Sequence, residues 1–251
     1  MSDPPMHVKG LTTRYTGTVA EPRAAEAAGE GEQPATLRAE HVRETRAALV
    51  AAARQLFGRD GYAATSVDEL ARQARVTTGA LYHHFPTKTA LFETVFEQIH
   101  LELLAASAEA AAGAPFGIEG LARGSEAFLD AVLTPEVQRI VIIDAPAVLG
   151  LARFTELDER YAFAAIVASL QAAAVAGQVR AEDPETLARL LLGCLTRGGM
   201  LIANSDDPRA TRDAVAAALR ALLAGLSNGL EPPEPPEPPE PPEPPEPSRI
   251  T

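Results

Sequence analysis

Hydrophobic positions recur with a helical period through most of the chain, from about residue 43 to residue 227. Apolar side chains return every three or four residues and Gly or Pro marks the breaks, which is the pattern of amphipathic α-helices. No long alternation of apolar and polar residues indicates a strand. We predict an all-α fold with helices near residues 43–58, 66–74, 78–85, 88–112, 118–133, 135–149, 153–177, 184–203 and 208–227.

Composition agrees with this pattern. Apolar residues make up 46% of the chain, Ala and Leu dominate among them and Trp is absent, and Ala and Leu are among the residues that favour helices most. Cys194 is the single cysteine, so no intrachain disulfide forms, and we expect its thiol to be a small buried hydrophobe. Pro184 and Pro208 each follow an acidic residue, which predicts a capped helix start, and Gly177 predicts a helix end.

The two ends of the chain differ in composition from the middle. Residues 1–40 show no sustained period and are predicted to be a disordered leader. Residues 229–251 contain repeated Glu-Pro-Pro triplets, which favour an extended polyproline II conformation of about 3.1 Å per residue. A solvated spacer and a docking motif both remain open for this tail. Neither a signal peptide nor an uninterrupted apolar run of about 20 residues is found, so we expect a cytoplasmic, nucleoid-associated protein.

Charge is distributed unevenly. The net charge is -12 at pH 7, which by itself disfavours a nucleic-acid partner because phosphates are neutralised by Arg and Lys. From Arg38 to Phe92, however, eight basic residues face five acidic ones, so this segment carries +3 and the remainder carries -15. A DNA-binding segment is therefore permitted.

Residues 66–85 contain the most informative pattern. Ser66 and Glu69 have the spacing of a capping box, and the short apolar face that follows lasts about two turns. A second short helix, with Thr77 as its predicted cap, places Leu81 and Phe85 one turn apart. Two short helices joined by a tight turn, behind an amphipathic helix, predict a helix-turn-helix that reads the major groove.

Side chains on the second of these helices have the chemistry to contact DNA. Thr78, Tyr82, His83 and His84 can bond phosphates or base edges, Gly79 permits close approach, and Lys88 can add a backbone contact. Structural alternatives remain open, since Tyr82 can be half-buried core and His84 or Lys88 can simply be solvated.

The run from Leu56 to Val67, continuing through Leu70-Ala71 and from Val76 to Phe92, closely resembles the DNA-binding domain of TetR-family transcriptional regulators. The resemblance covers about residues 43–103. It implies a recognition helix with DNA contacts, including phosphate contacts from Thr65 or Ser66 and from Lys88. The residues implied to bind DNA are Thr65, Ser66, Thr77, Thr78, Gly79, Tyr82, His83, His84 and Lys88. Arg75 departs from the family, which often has Gly in this turn, and a left-handed Arg there costs about 1 kcal/mol.

Residues 104–228 carry no chemical motif, and the resemblance implies that they form a helical regulatory and dimerisation domain. Apolar stripes on the last two helices are expected to build a homodimer, with Leu191, Leu195, Leu219, Leu222 and Leu223 in its interface. Such a dimer would read a pseudo-palindromic operator with half-sites about 34–36 Å apart.

The middle helices are expected to surround a small-molecule effector, and the residues assigned to its pocket are Phe128, Ile143, Asp144, Phe154, Tyr161 and Arg197. Asp144 and Arg197 are charges within apolar runs, where an unpaired charge is costly. They can pair with each other in a structural role or bind a polar effector. Effector binding would release the operator by shifting the two DNA-binding heads, so the chain is predicted to be a ligand-responsive repressor.

Other classes of function were weighed. No nucleophile elbow, phosphate-binding loop or metal-spaced His/Cys set is present in the sequence, so we predict no enzyme activity, no cofactor and no metal ion. The acidic balance and the Glu-Pro-Pro tail leave open a scaffold that does not bind DNA, and within the regulator class activation remains an alternative to repression.

Overall fold

The computed structural model describes residues 33–115, 117–179 and 182–228, and within these ranges the regular elements are all helices. Chain contacts divide the protein into two units, residues 1–42 and 43–251. The helices are α1 Gln33–Asp60, α2 Val67–Gln73, α3 Thr78–His84, α4 Lys88–Ala112, α5 Ile118–Val132, α6 Pro135–Val137, α7 Ala145–Leu149, α8 Leu151–Asp158, α9 Ala164–Val175, α10 Pro184–Ala203 and α11 Pro208–Asn228, with π-helical segments at Gln138–Asp144 and Glu159–Phe163. The predicted fold class is confirmed.

Helix α1 begins at Gln33, so the predicted leader of residues 1–40 is wrong for residues 33–40. Residues 37–42 are exposed and lack an apolar face, which is why the periodicity did not reveal them. Their Leu, Arg, Ala and Glu residues nevertheless favour helix. The predicted Glu-Pro-Pro tail, at residues 229–251, lies outside the described residues.

Two predicted continuous helices, at 135–149 and 153–177, are interrupted by π-helical turns. Pro146 explains the first interruption, because it has no N–H for the α-helical bond to the Ile142 carbonyl. The amide of Ala145 accordingly donates to the more distant Ile140 carbonyl. Nothing in the sequence of Glu159–Phe163 predicts the second π-helical turn.

Two clusters of buried side chains hold the described helices together. The first joins the N-terminal helices to the middle of the chain, since Leu49, Phe57 and Phe92 belong to the same cluster as Ile140 and Phe154. The second lies among α5, α9, α10 and α11. Helix α4 runs without a break through the boundary predicted between residues 103 and 104, so the domain limits stay a prediction.

Helix α10 is long and apolar enough to pass a length-and-composition test for a membrane span, with a mean hydropathy of 1.3. A search for uninterrupted apolar runs does not find this helix, because Arg189 and Arg197 interrupt the run. One side of α10 packs through Ala188, Leu191 and Leu192 into the second buried cluster. This is how a core helix of a folded domain behaves, and such helices pass the same test.

Candidate nucleic-acid interface and effector cavity

Local capping builds the helix-turn-helix. The Ser66 hydroxyl accepts from the Glu69 amide at 3.1 Å, and the Thr77 hydroxyl accepts from the Ala80 amide at 3.1 Å. These two bonds begin α2 and α3 at the predicted residues. Each satisfies an amide that the first turn of a helix would otherwise leave without a partner.

The turn between α2 and α3 is a Schellman motif centred on Arg75. Its φ is 57°, and the Val76 amide donates to the Ala71 carbonyl at 2.9 Å while the Arg75 amide donates to the Arg72 carbonyl at 3.1 Å. The left-handed conformation anticipated for this residue is therefore present, with its steric cost of about 1 kcal/mol. The bulk of Arg75 is accommodated because its side chain is exposed.

One face of α3 is exposed while the other is packed into the protein. Leu81 and the adjoining Phe85 are buried in the first cluster. Tyr82 is 49% exposed, and Ser66, Thr77, Gly79 and His83 are exposed as well. Thr78 and His84 are half-buried, and the Thr78 hydroxyl donates to Asp68 Oδ1 at 3.0 Å. The candidate interface is thus a polar surface on a packed helix.

Two of the predicted phosphate contacts have other roles. Thr65 is only 1% exposed and its hydroxyl donates to the Gly61 carbonyl at 2.8 Å, so it is enclosed, and the prediction that it contacts phosphate is corrected. The Lys88 ammonium donates to the Tyr62 and Thr65 carbonyls at 2.7 and 2.8 Å and lies 4.0 Å from the centre of the Tyr62 ring. Burial lowers the pKa of Lys88. One of its three N–H groups is left for a phosphate.

Tyr62 connects the end of α1 to α4, a role that the sequence pattern did not indicate. Its ring centroid lies 5.6 Å from that of Phe57 and 5.2 Å from that of Phe92, and its hydroxyl is 2.9 Å from the Thr89 hydroxyl. Tyr62 lies just beyond Gly61, whose φ of 83° ends α1. The sequence signal that could have identified Tyr62 is an aromatic residue directly after a helix-ending glycine.

Hydrogen bonds and ion pairs of charged side chains connect the N-terminal helices to the segment from α6 to α7. The Arg54 guanidinium bonds both Glu102 and Glu136, at distances from 2.6 to 3.1 Å, which raises its pKa. Asp144 Oδ2 accepts from the Tyr62 amide at 2.7 Å and lies 3.4 Å from Arg139 Nε. The alternative in which Asp144 pairs with Arg197 is therefore wrong. Asp144 bonds to Tyr62 and Arg139 instead, and it is not among the residues that line the cavity described next.

A cavity of about 460 Å³ lies among α4, α5, α9, α10 and the second π-helical turn. Phe128 and Tyr161, two of the residues assigned to the effector pocket, line this cavity. The other assigned residues do not line it. Ile143 is 44% exposed and Arg197 is exposed, so both face away, while Phe154 is 5% exposed and packs 5.9 Å from the Phe96 ring in the first cluster.

One end of this cavity is polar. His100 is buried, with Nε2 3.3 Å from Asp158 Oδ1 and Nδ1 3.3 Å from the Phe96 carbonyl oxygen. The Thr196 hydroxyl lies 3.1 Å from both Asp158 Oδ2 and the Leu192 carbonyl oxygen, and it can donate its proton to either one. No sequence pattern pairs these residues, because they belong to three helices that are distant along the chain. Only the fold brings them together.

The leucines predicted for the dimer interface divide into two groups. Leu191, Leu219 and Leu223 are 7%, 6% and 1% exposed and pack within their own protomer, so the prediction is corrected for these three. Leu195 is half-buried and lines the cavity. Leu222 is 57% exposed and remains available. Periodicity finds the apolar face of a helix but not which neighbour covers it.

Cys194 was expected to be buried but is exposed. It lies on a stripe of exposed residues along α10 that includes Leu190, Gly193 and Leu201. The matching side of α11 is composed of exposed small or apolar residues, namely Ala210, Ala214, Ala217, Ala218, Ala221, Leu222 and Gly225.

Comparison with known proteins finds matches for both the N-terminal helix-turn-helix part and the C-terminal helical part of the chain. Residues 49–95 match the model of bacterial regulatory proteins of the tetR family, and residues 118–226 match that of the tetracyclin repressor-like C-terminal domain. A TetR-family transcriptional regulator from Pectobacterium atrosepticum is 39% identical; the match covers 75% of this chain and 96% of that one, with a TM-score of 0.68.

Two further relatives extend the comparison. The Tn10 TetC protein of Escherichia coli is 29% identical over 154 residues, which are 61% of this chain and 78% of that protein. The crystal structure of RolR in complex with resorcinol is 19% identical with a TM-score of 0.62, covering 77% of this chain and 95% of RolR. At that identity the likeness shows the fold alone.

The two short capped helices α2 and α3, together with these matches, define the class as helix-turn-helix transcriptional regulators that bind DNA. Within that class, the chain belongs to the TetR family.

Proposed function

We propose that this regulator is a ligand-responsive repressor that works in the cytoplasm, associated with the nucleoid, and binds a pseudo-palindromic operator through α3. The observation that carries the DNA contact is the face formed by Thr77, Gly79, Tyr82 and His83, which is exposed while Leu81 of the same helix is 0% exposed. Polar groups on a firmly packed helix can reach base edges and phosphates without reordering the backbone.

We infer that the functional form is a homodimer built on α10 and α11. The exposed stripe of Leu190, Gly193, Cys194 and Leu201 lies on α10, and the small exposed residues of α11 permit a close approach of helices. Apolar side chains that no part of the protomer covers gain free energy when a partner removes them from water. A two-fold axis here would give two recognition helices for two half-sites.

Helix α4 supplies a route from effector to DNA. Its first turns carry Lys88 and Phe92, which pack against Tyr62 beside the helix-turn-helix. Its later turns carry His100 and Ala108, which line the cavity. A ligand that binds one arrangement of α4 more tightly shifts the population toward it, and the spacing of the two α3 helices changes with it.

The test is a titration of the purified full-length protein against the DNA upstream of its own gene, repeated at several salt concentrations. We expect saturable binding that unrelated competitor DNA does not abolish, and affinity that falls linearly in log-log form as salt rises, because phosphate contacts release counterions. Binding that is equal on unrelated DNA would contradict the proposal. A dimer mass in solution, reduced to a monomer mass by Leu222→Glu, tests the interface.

A further inference from the structure

We propose that the cavity takes a neutral, largely apolar molecule carrying a hydroxyl group, which bonds to the His100–Asp158–Thr196 cluster. This inference rests on the proposed function in taking the cavity as the effector site. It adds the chemical class of the ligand, which follows from the shape, charge and hydrogen-bonding groups of the walls.

The body of the cavity is apolar and is created by small side chains. Ala and Gly line much of it where larger residues would fill the space, and these small residues are Ala108, Ala111, Ala112, Ala114, Gly117, Gly120, Gly124, Ala162, Ala165 and Ala168. A space of about 460 Å³ is within the range of cavities that bind small organic molecules. Apolar atoms of a ligand are thus the expected occupants.

The charge of the walls excludes ionic ligands. Among the described residues that line the cavity, none is Lys or Arg, and Asp158 is the acidic one. A carboxylate or phosphate would therefore lose its hydration and meet another carboxylate, which is unfavourable. A cation would give up its hydration for Asp158 alone, because the rest of the lining is apolar or neutral, and one carboxylate does not offset that desolvation cost.

A hydroxyl group fits the polar end. Each carboxylate oxygen of Asp158 has a second lone pair, so it can accept a bond from a ligand O–H in addition to its contacts with His100 and Thr196. A hydroxyl bonded to a carboxylate makes a short, strong hydrogen bond without bringing a second charge into the cavity. Tyr161 and Phe128, which also line the space, can pack against an aromatic ring that carries the hydroxyl.

The ligand has a way in between α4 and α9. Ala108 and Ala112 on α4, and Ala165 and Ala168 on α9, line the cavity and are also exposed to solvent. The polar cluster lies away from this opening, because His100 is 5% exposed. An apolar molecule can therefore enter between small side chains with its hydroxyl leading.

Three probes that differ only in their polar group test the ligand class. Binding of 4-phenylphenol, biphenyl-4-carboxylate and 4-(aminomethyl)biphenyl is measured by calorimetry on the full-length protein without DNA. We expect the phenol to bind at least about tenfold more tightly than either ion, because a site built to bond a hydroxyl rejects groups that leave it poorly paired. Equal or tighter binding of an ion, or no binding of the phenol, overturns the inference.

Variants locate the bound hydroxyl. Asp158→Asn should weaken the phenol about tenfold and narrow its advantage over the carboxylate, because the repelling charge is gone. Thr196→Val, which keeps the shape of the side chain, should weaken the phenol less. Ser169→Ala is the matched control, since its hydroxyl lines the cavity but donates to the Ala165 carbonyl of its own helix at 3.0 Å. Ala165→Trp at the opening should reduce binding of the phenol.

Ser169→Ala could weaken the phenol as much as both Asp158→Asn and Thr196→Val do. That result would contradict placement of the ligand hydroxyl at the His100–Asp158–Thr196 cluster. The operator assay separates this inference from the proposed function. If the phenol binds with the expected preference but leaves operator affinity unchanged, the ligand class stands and the effector role of the cavity fails.

Discussion

The helices that present the DNA-binding face and those that surround the cavity are built differently. Ser66, Thr77 and Thr87 each cap a helix of the first region through a side-chain hydrogen bond. Around the cavity, α5 and α9 begin without a side-chain cap and Glu159–Phe163 is π-helical, while α10 is capped by Asp183. Large aromatic residues fill the core beside the first region, whereas Ala and Gly leave space in the second.

The difference indicates how one chain can combine fixed recognition with an adaptable binding site. A face that reads DNA needs its side chains held in one arrangement, and capping with dense packing provides that. A site that responds to a ligand needs alternative arrangements of similar free energy, which loosely filled space and π-helical turns allow.

Truncation of a buried core side chain should have the largest effect on the free energy of unfolding. Phe92 is 0% exposed, and its ring lies 5.3 Å from Phe57 and 5.2 Å from Tyr62, so Phe92→Ala should lower the free energy of unfolding by about 3–5 kcal/mol. Ala168→Leu on the exposed cavity wall should change it by less than about 0.5 kcal/mol. Chemical denaturation measures both, and similar effects would remove the proposed contrast in packing.

Removing the Asp144 carboxylate, which bonds the Tyr62 amide after α1, should have the next largest effect on the free energy of unfolding. Asp144→Ala leaves the Tyr62 amide without its acceptor, and we expect a loss of about 1–3 kcal/mol of unfolding free energy. The control is Asp213→Ala, because that carboxylate is exposed and bonds its neighbour Arg212. If thermal unfolding of the two variants is indistinguishable, the bond from the Tyr62 amide to Asp144 does not stabilise the protein.

Helix caps offer a matched pair. Thr77→Ala removes the hydroxyl that accepts from the Ala80 amide and should cost about 1 kcal/mol. Thr134 precedes α6 but makes no side-chain cap bond, so Thr134→Ala should change stability by less than about 0.5 kcal/mol. Urea denaturation of the two variants checks this, and the opposite ranking would show that capping does not distinguish the regions.

Relief of the backbone strain at Arg75 should have the smallest effect on the free energy of unfolding. Arg75→Gly removes a side chain from a residue with φ 57° and should stabilise the protein by about 0.5–1 kcal/mol. Operator affinity at fixed salt is measured alongside. An unchanged or lowered stability would mean that the Arg75 side chain makes a compensating contact.

Sequence alone predicted the local features of the DNA-binding region well. Ser66, Thr77 and Arg75 act through bonds to residues within five positions, and such signals are contained in a short stretch of chain. Gly177, with φ 67°, ended its helix as predicted for the same reason. The helical start at Gln33 was missed because exposed helix carries no apolar period.

The long-range features were not predictable in this way. Asp144 was assigned to a pocket because a charge in an apolar run needs a partner, but its partners are Arg139 of the same π-helical segment and the Tyr62 amide, 82 positions away. Lys88 was assigned to phosphate although it bonds two carbonyl groups beside it in the fold. His100, Asp158 and Thr196 meet only through tertiary packing, which periodicity does not encode.

Recognition of operator DNA by the exposed face of α3 is measured by comparing the operator affinity of the wild type with that of Tyr82→Ala at one salt concentration. Leu101→Ala is the control, because Leu101 is 54% exposed on α4. We predict a loss of about tenfold or more for Tyr82→Ala and wild-type affinity for Leu101→Ala. Equal affinities for all three proteins, each folded by circular dichroism, would contradict the assignment of α3 as the recognition helix.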